Sequence, residues 1–76
     1  MSTEMLKAKL DHHVNTNPPT KAIVLRLANY NDLLETYPKD FDVNVEKKEL
    51  YFKGHVIYFN EKVKDGDFGT MNIQKD

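Results

Sequence analysis

The side chains that could do chemistry in this 76-residue chain are twelve carboxylates, three histidines and a single serine. The serine, Ser2, stands where a helix cap is expected, so a Ser/His/Asp constellation has no plausible nucleophile. Asp40 and Asp42 alternate along a predicted strand opposite Lys53, which is typical of a solvated polar face rather than an acid-base pair. We therefore predict that the protein is not an enzyme.

The histidines do not have the spacing of a metal site. His12 and His13 are adjacent on a predicted helix and point in different directions, whereas two helical ligands of one metal normally lie at i and i+4. His55 could join His13 from the sheet, which leaves such a site short of ligands. The chain also has no cysteine, so thiolate metal sites and disulfides are excluded. We predict no metal and no cofactor.

Two short motifs could suggest a ligand. The stretch from Asp65 to Phe68 opens like a calcium loop, but Asp76 stands where the closing glutamate belongs, and a turn explains these residues. Residues 53–59 have the Lys-Gly and aromatic character of an RNA-binding strand without its order of rings. The net charge of -1 does not indicate a phosphate-binding surface.

Length and composition predict one globular domain over residues 1–76, because two independent cores would each be too small to fold. The longest apolar run, residues 22–28, contains Arg26 and is too short to span a bilayer. No secretion leader is recognisable, so a cytoplasmic location is expected. The Lys-rich and Asn-rich composition is typical of an AT-rich genome, as in bacterial accessory and phage proteins.

The N-terminal segment predicts a helix over residues 3–14, capped by Ser2 or Thr3. Its apolar stripe has the spacing i, i+4 and i+8, at Leu6, Leu10 and Val14. Pro18 and Pro19 follow and cannot continue a helix.

Residues 20–37 fit two interpretations. Large apolar residues recur at helical spacing, at Ile23, Leu27, Tyr30, Leu34 and Tyr37, which favours a single amphipathic helix. Alternatively, residues 22–28 are apolar on nearly every side, and Asp32 with Glu35 has capping-box spacing. This second pattern is typical of a buried strand followed by a short helix. We adopt the single helix as the prediction.

After Pro38 the pattern has a period of two. Residues 40–46 alternate between polar and apolar, which predicts a strand that turns at Lys47 and Lys48. Pairing Val45 with Leu50 then also pairs Val43 with Phe52. A second turn at Asp65-Gly66 folds residues 68–74 back along the second, long strand.

The predicted fold is α+β, with two N-terminal helices packed on a three-stranded antiparallel β-meander. The alternative order is αβαβββ, with residues 21–28 as an additional strand. The face predicted to hold the core carries Phe41, Val43, Val45, Leu50, Phe52, Val56, Tyr58 and Ile73. The Leu6-Leu10-Val14 and Ile23-Leu27-Leu34 stripes are expected to cover it.

The other face of the predicted sheet is expected to carry an uncovered apolar patch. Its members are Tyr51, Ile57, Phe59, Val63 and Phe68, rimmed by Lys53, His55, Glu61 and Lys62. A patch of this kind is typical of a binding surface. Two alternatives would remove it: a bulge at Gly54 that flips the following strand, or a strand at residues 22–28 whose helix covers this side.

These patterns predict a non-catalytic protein-binding module, an inhibitor or adaptor that acts on another protein or through self-association. Its expected partner is another protein or a second copy of the chain, with no membrane involved. The alternative is a small nucleic-acid-binding accessory protein or transcriptional modulator. Binding that weakens steeply with salt would favour the alternative.

Overall fold

The computed structural model describes residues 3–74, which form two α-helices and one five-stranded mixed sheet. The helices are α1 (Thr3–Thr16) and α2 (Leu27–Thr36), and a 3-10 turn spans Pro38–Asp40. The strands are β1 (Lys21–Leu25), β2 (Phe41–Asn44), β3 (Glu49–Phe52), β4 (His55–Phe59) and β5 (Gly69–Asn72). The predicted α+β class with two helices is confirmed, and the sheet is wider than the predicted three-stranded meander.

Helix α1 confirms the predicted N-terminal helix and runs slightly further along the chain. Leu6 and Leu10 of its stripe are fully buried, and Val14 packs against the edge of the core. The helix ends before Pro18, which has no backbone N–H to donate. Of the two residues predicted to cap it, Ser2 lies outside the described residues.

The prediction of a single helix over residues 20–37 is wrong. These residues form β1 and α2, as in the alternative interpretation. Residues 22–25 are buried at four consecutive positions, which suits a strand with neighbours on both sides but not a helix at the surface. The helical spacing does not mark the buried face of α2, because Leu27 is 49% exposed and the fully buried Leu33 is not part of that spacing.

The strands lie in the order β2-β3-β4-β1-β5. β2, β3 and β4 form an antiparallel meander, and β1 runs parallel to β4 with Ile23 beside Ile57. β5 pairs antiparallel with β1, not with the strand that precedes it in the chain as predicted. A turn does form around Gly66, where the Asp67 N–H donates to the Lys64 carbonyl at 3.0 Å. It directs the chain to the far side of β1 and closes no hairpin.

The β2–β3 hairpin is confirmed, with a shifted register. Val43 lies opposite Leu50 and not opposite Phe52. The connecting loop is longer than the two residues predicted, because the Asn44 side-chain oxygen accepts the Lys47 N–H at 3.1 Å and widens the turn. The shift of two positions leaves each side chain on its predicted face.

The long second strand of the prediction is two strands joined by a tight turn. Lys53 and Gly54 have positive φ angles of 47° and 86°, and Phe52 pairs directly with His55 on the other side. Positive φ at both central residues is the geometry of a type I′ hairpin turn. The chain therefore reverses where the prediction continued straight.

Both helices pack on one face of the sheet and enclose the core. Its buried members are Leu6, Leu10, Ile23, Leu25, Tyr30, Leu33, Phe41, Phe52 and Ile57. The predicted burial of Phe41 and Phe52 is confirmed. Val43 and Val45, also predicted as core, are 61% and 79% exposed. β2 is an edge strand, and the helices do not extend over its outer end.

Three further residues of the predicted core face lie elsewhere. Val56 and Tyr58 alternate with the core residue Ile57 and therefore point to the opposite face of the sheet. Ile73 is half-buried just after β5. Leu27, predicted to belong to the covering stripe, is 49% exposed at the start of α2.

Charged side chains fasten α1 to two turns that are distant in the sequence. Lys7 pairs with Asp11 at 2.7 Å and with Asp40 at 3.1 Å, and Lys53 pairs with Asp11 at 2.6 Å. Burial acts to lower the pKa of Lys7, but its hydrogen bonds to both carboxylates raise that pKa overall. The network joins the helix, the 3-10 turn and the β3–β4 turn at one end of the molecule.

Candidate protein-interaction site

The five residues of the predicted patch do not share one surface. Ile57 is buried in the core, and Phe68 packs against the core from the segment before β5. Val63 is half-buried in the β4–β5 connection, while Phe59 is exposed at the end of β4 on the helix side. Only Tyr51, of these five, lies on the face that the helices leave open.

The turn at Lys53-Gly54 explains this rearrangement. Because Phe52 pairs directly with His55, residues that follow the turn change face relative to a straight strand. Ile57 thus joins Phe52 on the core side. The bulge considered at Gly54 would also have moved the following residues to the opposite face. The other alternative, a helix after β1 that covers the predicted patch, does not occur, because α2 packs on the same side of the sheet as α1.

The open face of the sheet is largely apolar at its centre. Its residues, which alternate with the core positions, are Ala22, Val24, Asp42, Asn44, Glu49, Tyr51, Val56, Tyr58, Gly69 and Met71. The Tyr51 hydroxyl donates to the Glu49 carboxylate at 3.0 Å. Loss of hydration, together with this bond to Glu49, raises the pKa of Tyr51.

Part of the open face is covered by the chain itself. The backbone N–H of Gln74 donates to the Tyr58 hydroxyl at 2.9 Å. Since Gln74 follows β5 and Tyr58 belongs to β4, the chain crosses β1 on this side. The crossing accounts for the burial of Val24, although both helices lie on the other face.

A shallow groove lies at the end of the sheet where β1 and β4 finish. Leu27 and Phe59 expose 49% and 42% of their surface there. The groove has a volume of about 510 Å³ and is lined by Leu27, Ala28, Asn31, Phe59, Asn60 and Glu61. Two large, exposed apolar side chains, Leu27 and Phe59, therefore line the same groove.

Parallel pairing of β1 and β4 positions the groove. Parallel strands end at the same edge, so α2 and the β4–β5 connection both leave from this point. The Asn60 N–H donates to the Leu25 carbonyl at 3.0 Å and extends the ladder past the strand ends. Leu27 and Phe59 are therefore held at adjacent strand exits.

One ion pair frames the groove on its polar side. The Glu61 carboxylate lies 3.6 Å from the Arg26 guanidinium and accepts the Leu27 N–H at 3.2 Å. Arg26 also donates to the Val63 carbonyl at 3.4 Å. Because Arg26 provides no side-chain cap for α2, Glu61 satisfies this backbone donor in its place.

A row of aromatic rings connects the groove to the core. The Phe59 ring contacts Tyr30 at a centroid distance of 5.2 Å, Tyr30 contacts Phe41 at 5.5 Å, and Phe41 contacts Phe52 at 5.1 Å. The two contacts of Tyr30 are edge-to-face and the Phe41–Phe52 contact is tilted, and such contacts favour fixed ring orientations. Burial raises the pKa of Tyr30. The wall of the groove is thus anchored in the core.

The structure also brings two histidines together. The His13 and His55 rings lie 5.8 Å apart, and His13 also contacts the Phe68 ring at 5.3 Å. His55 is 3% exposed and its Nδ1 has no hydrogen-bond partner. Within residues 3–74 no group of three or more histidine or carboxylate side chains could hold a metal ion. Burial, with the charge of His13, lowers the pKa of His55.

The buried histidine predicts acid-dependent stability. The unfolded chain holds its proton with an ordinary pKa of about 6.5, and the folded chain holds it less tightly. Unfolding therefore takes up a proton, and the free energy of unfolding should be highest above about pH 6.5 and fall as the pH decreases below it. Urea unfolding between about pH 5 and pH 8 measures this slope.

A pair of substitutions assigns the slope to His55. His55→Leu should flatten the pH dependence in this range, whereas His12→Gln, at an exposed position of α1, should leave it unchanged. An unaltered slope in His55→Leu would show that another group controls the response.

Comparison of the chain with protein-family models, with curated proteins and with solved structures gives no match. Neither helix of the described residues is long and apolar enough to cross a membrane. Because these comparisons give no match, the function is inferred from the chemistry of the described surface.

Sequence reasoning found part of the groove and missed the rest. It selected Phe59 as a binding residue and Glu61 as part of the rim, and both line the groove. It missed Leu27, Ala28, Asn31 and Asn60, and the single-helix prediction placed Leu27 in the core. The alternative strand over residues 21–28 also included Leu27, whereas β1 ends at Leu25 and Leu27 begins α2.

Proposed function

We propose that this chain is a non-catalytic protein-binding module that recognises another protein, as an inhibitor or adaptor, through the groove between Leu27 and Phe59. The observation that carries the proposal is the adjacency of these two exposed apolar side chains on a rigid support. Exposed apolar surface is unfavourable in water, at roughly 25 cal/mol per Å², and a partner that covers it recovers this free energy.

The polar surroundings of the groove suit a protein ligand. Asn31 and Asn60 offer amide groups beside the apolar floor, and the Arg26–Glu61 pair is balanced in charge. An apolar anchor with a hydrogen-bonding rim is the usual anatomy of a protein interface. A phosphate backbone would require unpaired basic side chains here, and Arg26 already contacts Glu61.

Affinity capture from a nuclease-treated lysate tests the proposal. Leu27→Asp and Phe59→Asp place a charge in the groove and should weaken partner binding at least tenfold, since buried anchors usually contribute about 2 kcal/mol or more. Val45→Asp is the matched control, because Val45 is exposed on the β2–β3 loop, away from the groove. It should bind as the parent does.

Folding must be measured beside binding. Phe59 contacts Tyr30, so Phe59→Asp is expected to lower stability. Leu27 is 49% exposed at the start of α2, so Leu27→Asp serves as the independent variant. Undiminished capture by folded Leu27→Asp and Phe59→Asp would exclude the groove. A partner lost on nuclease treatment, with binding that falls steeply with salt, would favour the nucleic-acid alternative instead.

A further inference from the structure

The two edges of the sheet differ in their protection against pairing with another strand. Edge strands expose unpaired backbone N–H and C=O groups, and proteins commonly protect them with charged residues. The β2 edge carries acidic residues in and beside the strand, at Asp40, Asp42 and Glu46. From Phe68 to Gln74, the segment that contains β5 has no charged residue and no proline.

β5 is also accessible. Thr70, Met71 and Asn72 are exposed, and one side of the strand is paired with β1 while the other forms the edge of the sheet. At Gly69 an added Cβ would meet no atom within 4 Å, so the open face of the sheet is free at this end of the strand. The backbone of β5 can therefore be approached by another strand.

We propose that β5 pairs antiparallel with β5 of a second copy of this chain. The surface is separate from the groove, so this pairing does not depend on the proposed function. A two-fold axis normal to the sheet would join the two sheets into one, with all helices on the same side. The open faces of the two copies would form one continuous surface.

The side chains of β5 are complementary to themselves in this arrangement. A register centred on Met71 places Met71 against its equivalent on the open face, and Thr70 against Asn72 on the helix side. Apolar side chains then meet apolar ones, and polar side chains meet polar ones. Pairing β2 with itself would instead bring acidic residues together, which favours β5 as the self-pairing edge.

The short strand implies a weak dimer. β5 spans four residues, which gives a smaller interface than the 1,200 Å² or so typical of stable complexes. Sedimentation equilibrium of the full chain should show a reversible monomer–dimer equilibrium as its concentration rises. A monomer at every concentration would overturn the proposal.

Like charges placed across the two-fold axis should break the pairing. Met71→Lys sets two ammonium groups opposite each other and should weaken dimerisation at least tenfold, and Thr70→Lys provides an independent variant at an exposed position. Val43→Lys, exposed on the other edge, is the matched control and should dimerise as the parent does. Equal loss in Val43→Lys would assign the dimer to β2.

The lack of cysteine allows a positive test of the register. Met71→Cys introduces a single thiol, and two such thiols facing each other across an antiparallel pair should form a disulfide-linked dimer under mild oxidation. Val43→Cys should cross-link much more slowly. Comparable rates for the two variants would indicate random collision and contradict the proposed pairing.

Discussion

Replacement of Phe52 by alanine is expected to destabilise the fold by about 3–5 kcal/mol. Phe52 is fully buried between the helices and the sheet, and its ring contacts Phe41. The ammonium groups of Lys7 and Lys53 lie 6.0 Å and 5.6 Å from the ring centroid, so truncation also removes two favourable cation–π contacts. The loss is of the same order as the total stability of a domain this small.

Thermal and urea unfolding measure this effect. The variant should lose most of its cooperative transition or show a much lower midpoint. Phe59→Ala, which truncates a partly exposed ring at the outer end of the same aromatic row, is the control and should cost clearly less. A Phe52→Ala midpoint close to that of the parent would show that Phe52 is not central to the core.

Gly54→Val should cost roughly 2 kcal/mol of folding stability. Gly54 adopts a φ of 86°, which a β-branched side chain avoids because its Cβ crowds the backbone. No atom lies within 4 Å of a Cβ at this position, so the penalty comes from the backbone conformation and not from a collision. Denaturant unfolding at one pH measures it.

Gly69→Val is the matched control for this substitution. Gly69 also has free space around an added Cβ, but its φ is not in the left-handed region. A β-branched residue suits a strand, so the control should be neutral or stabilising. Equal destabilisation by the two substitutions would contradict the importance of the turn conformation.

The sequence patterns that predicted the fold well are local. The sequence predicts α1 because apolar residues at helical spacing, including Leu6 and Leu10, are followed by a pair of prolines. Such spacing places the apolar side chains on one face of a helix, and this face can be recognised without knowing what covers it. The β2–β3 hairpin was found because strict alternation marks one dry face. In both elements the pattern itself is local, although α1 is also stabilised by distant partners such as Asp40 and Lys53.

The errors concern elements whose conformation depends on distant partners. β1 is a strand because β4 and β5 hydrogen-bond to its two sides, and no residue near Ile23 indicates those neighbours. Leu27 stands four positions after Ile23, and this spacing is the same whether the two residues share one helix or belong to a strand and the helix that follows it. The spacing alone could therefore not distinguish a helix from a strand followed by a helix.

The second error, the missing turn at Lys53-Gly54, has a local cause. Lys53 precedes Gly54 in the turn with a positive φ, a position where asparagine or aspartate is the usual signal. Without that signal the pattern predicts a strand that continues through Gly54, which assigns Ile57 and Phe59 to the wrong face of the sheet. Phe59 lies in the groove because it is the last residue of β4. The face that the sequence predicted for it was the wrong one.

The central place of β1 has a consequence for the order of folding during synthesis. The ribosome releases β1 well before β4 and β5, the strands that pair with it. Until residues 55–72 emerge, Ile23 and Leu25 have no neighbouring strand, and the nascent chain exposes an apolar segment capable of aggregation. Closure of the sheet is thus a late, long-range event, because β1 can pair only after both β4 and β5 have been synthesised.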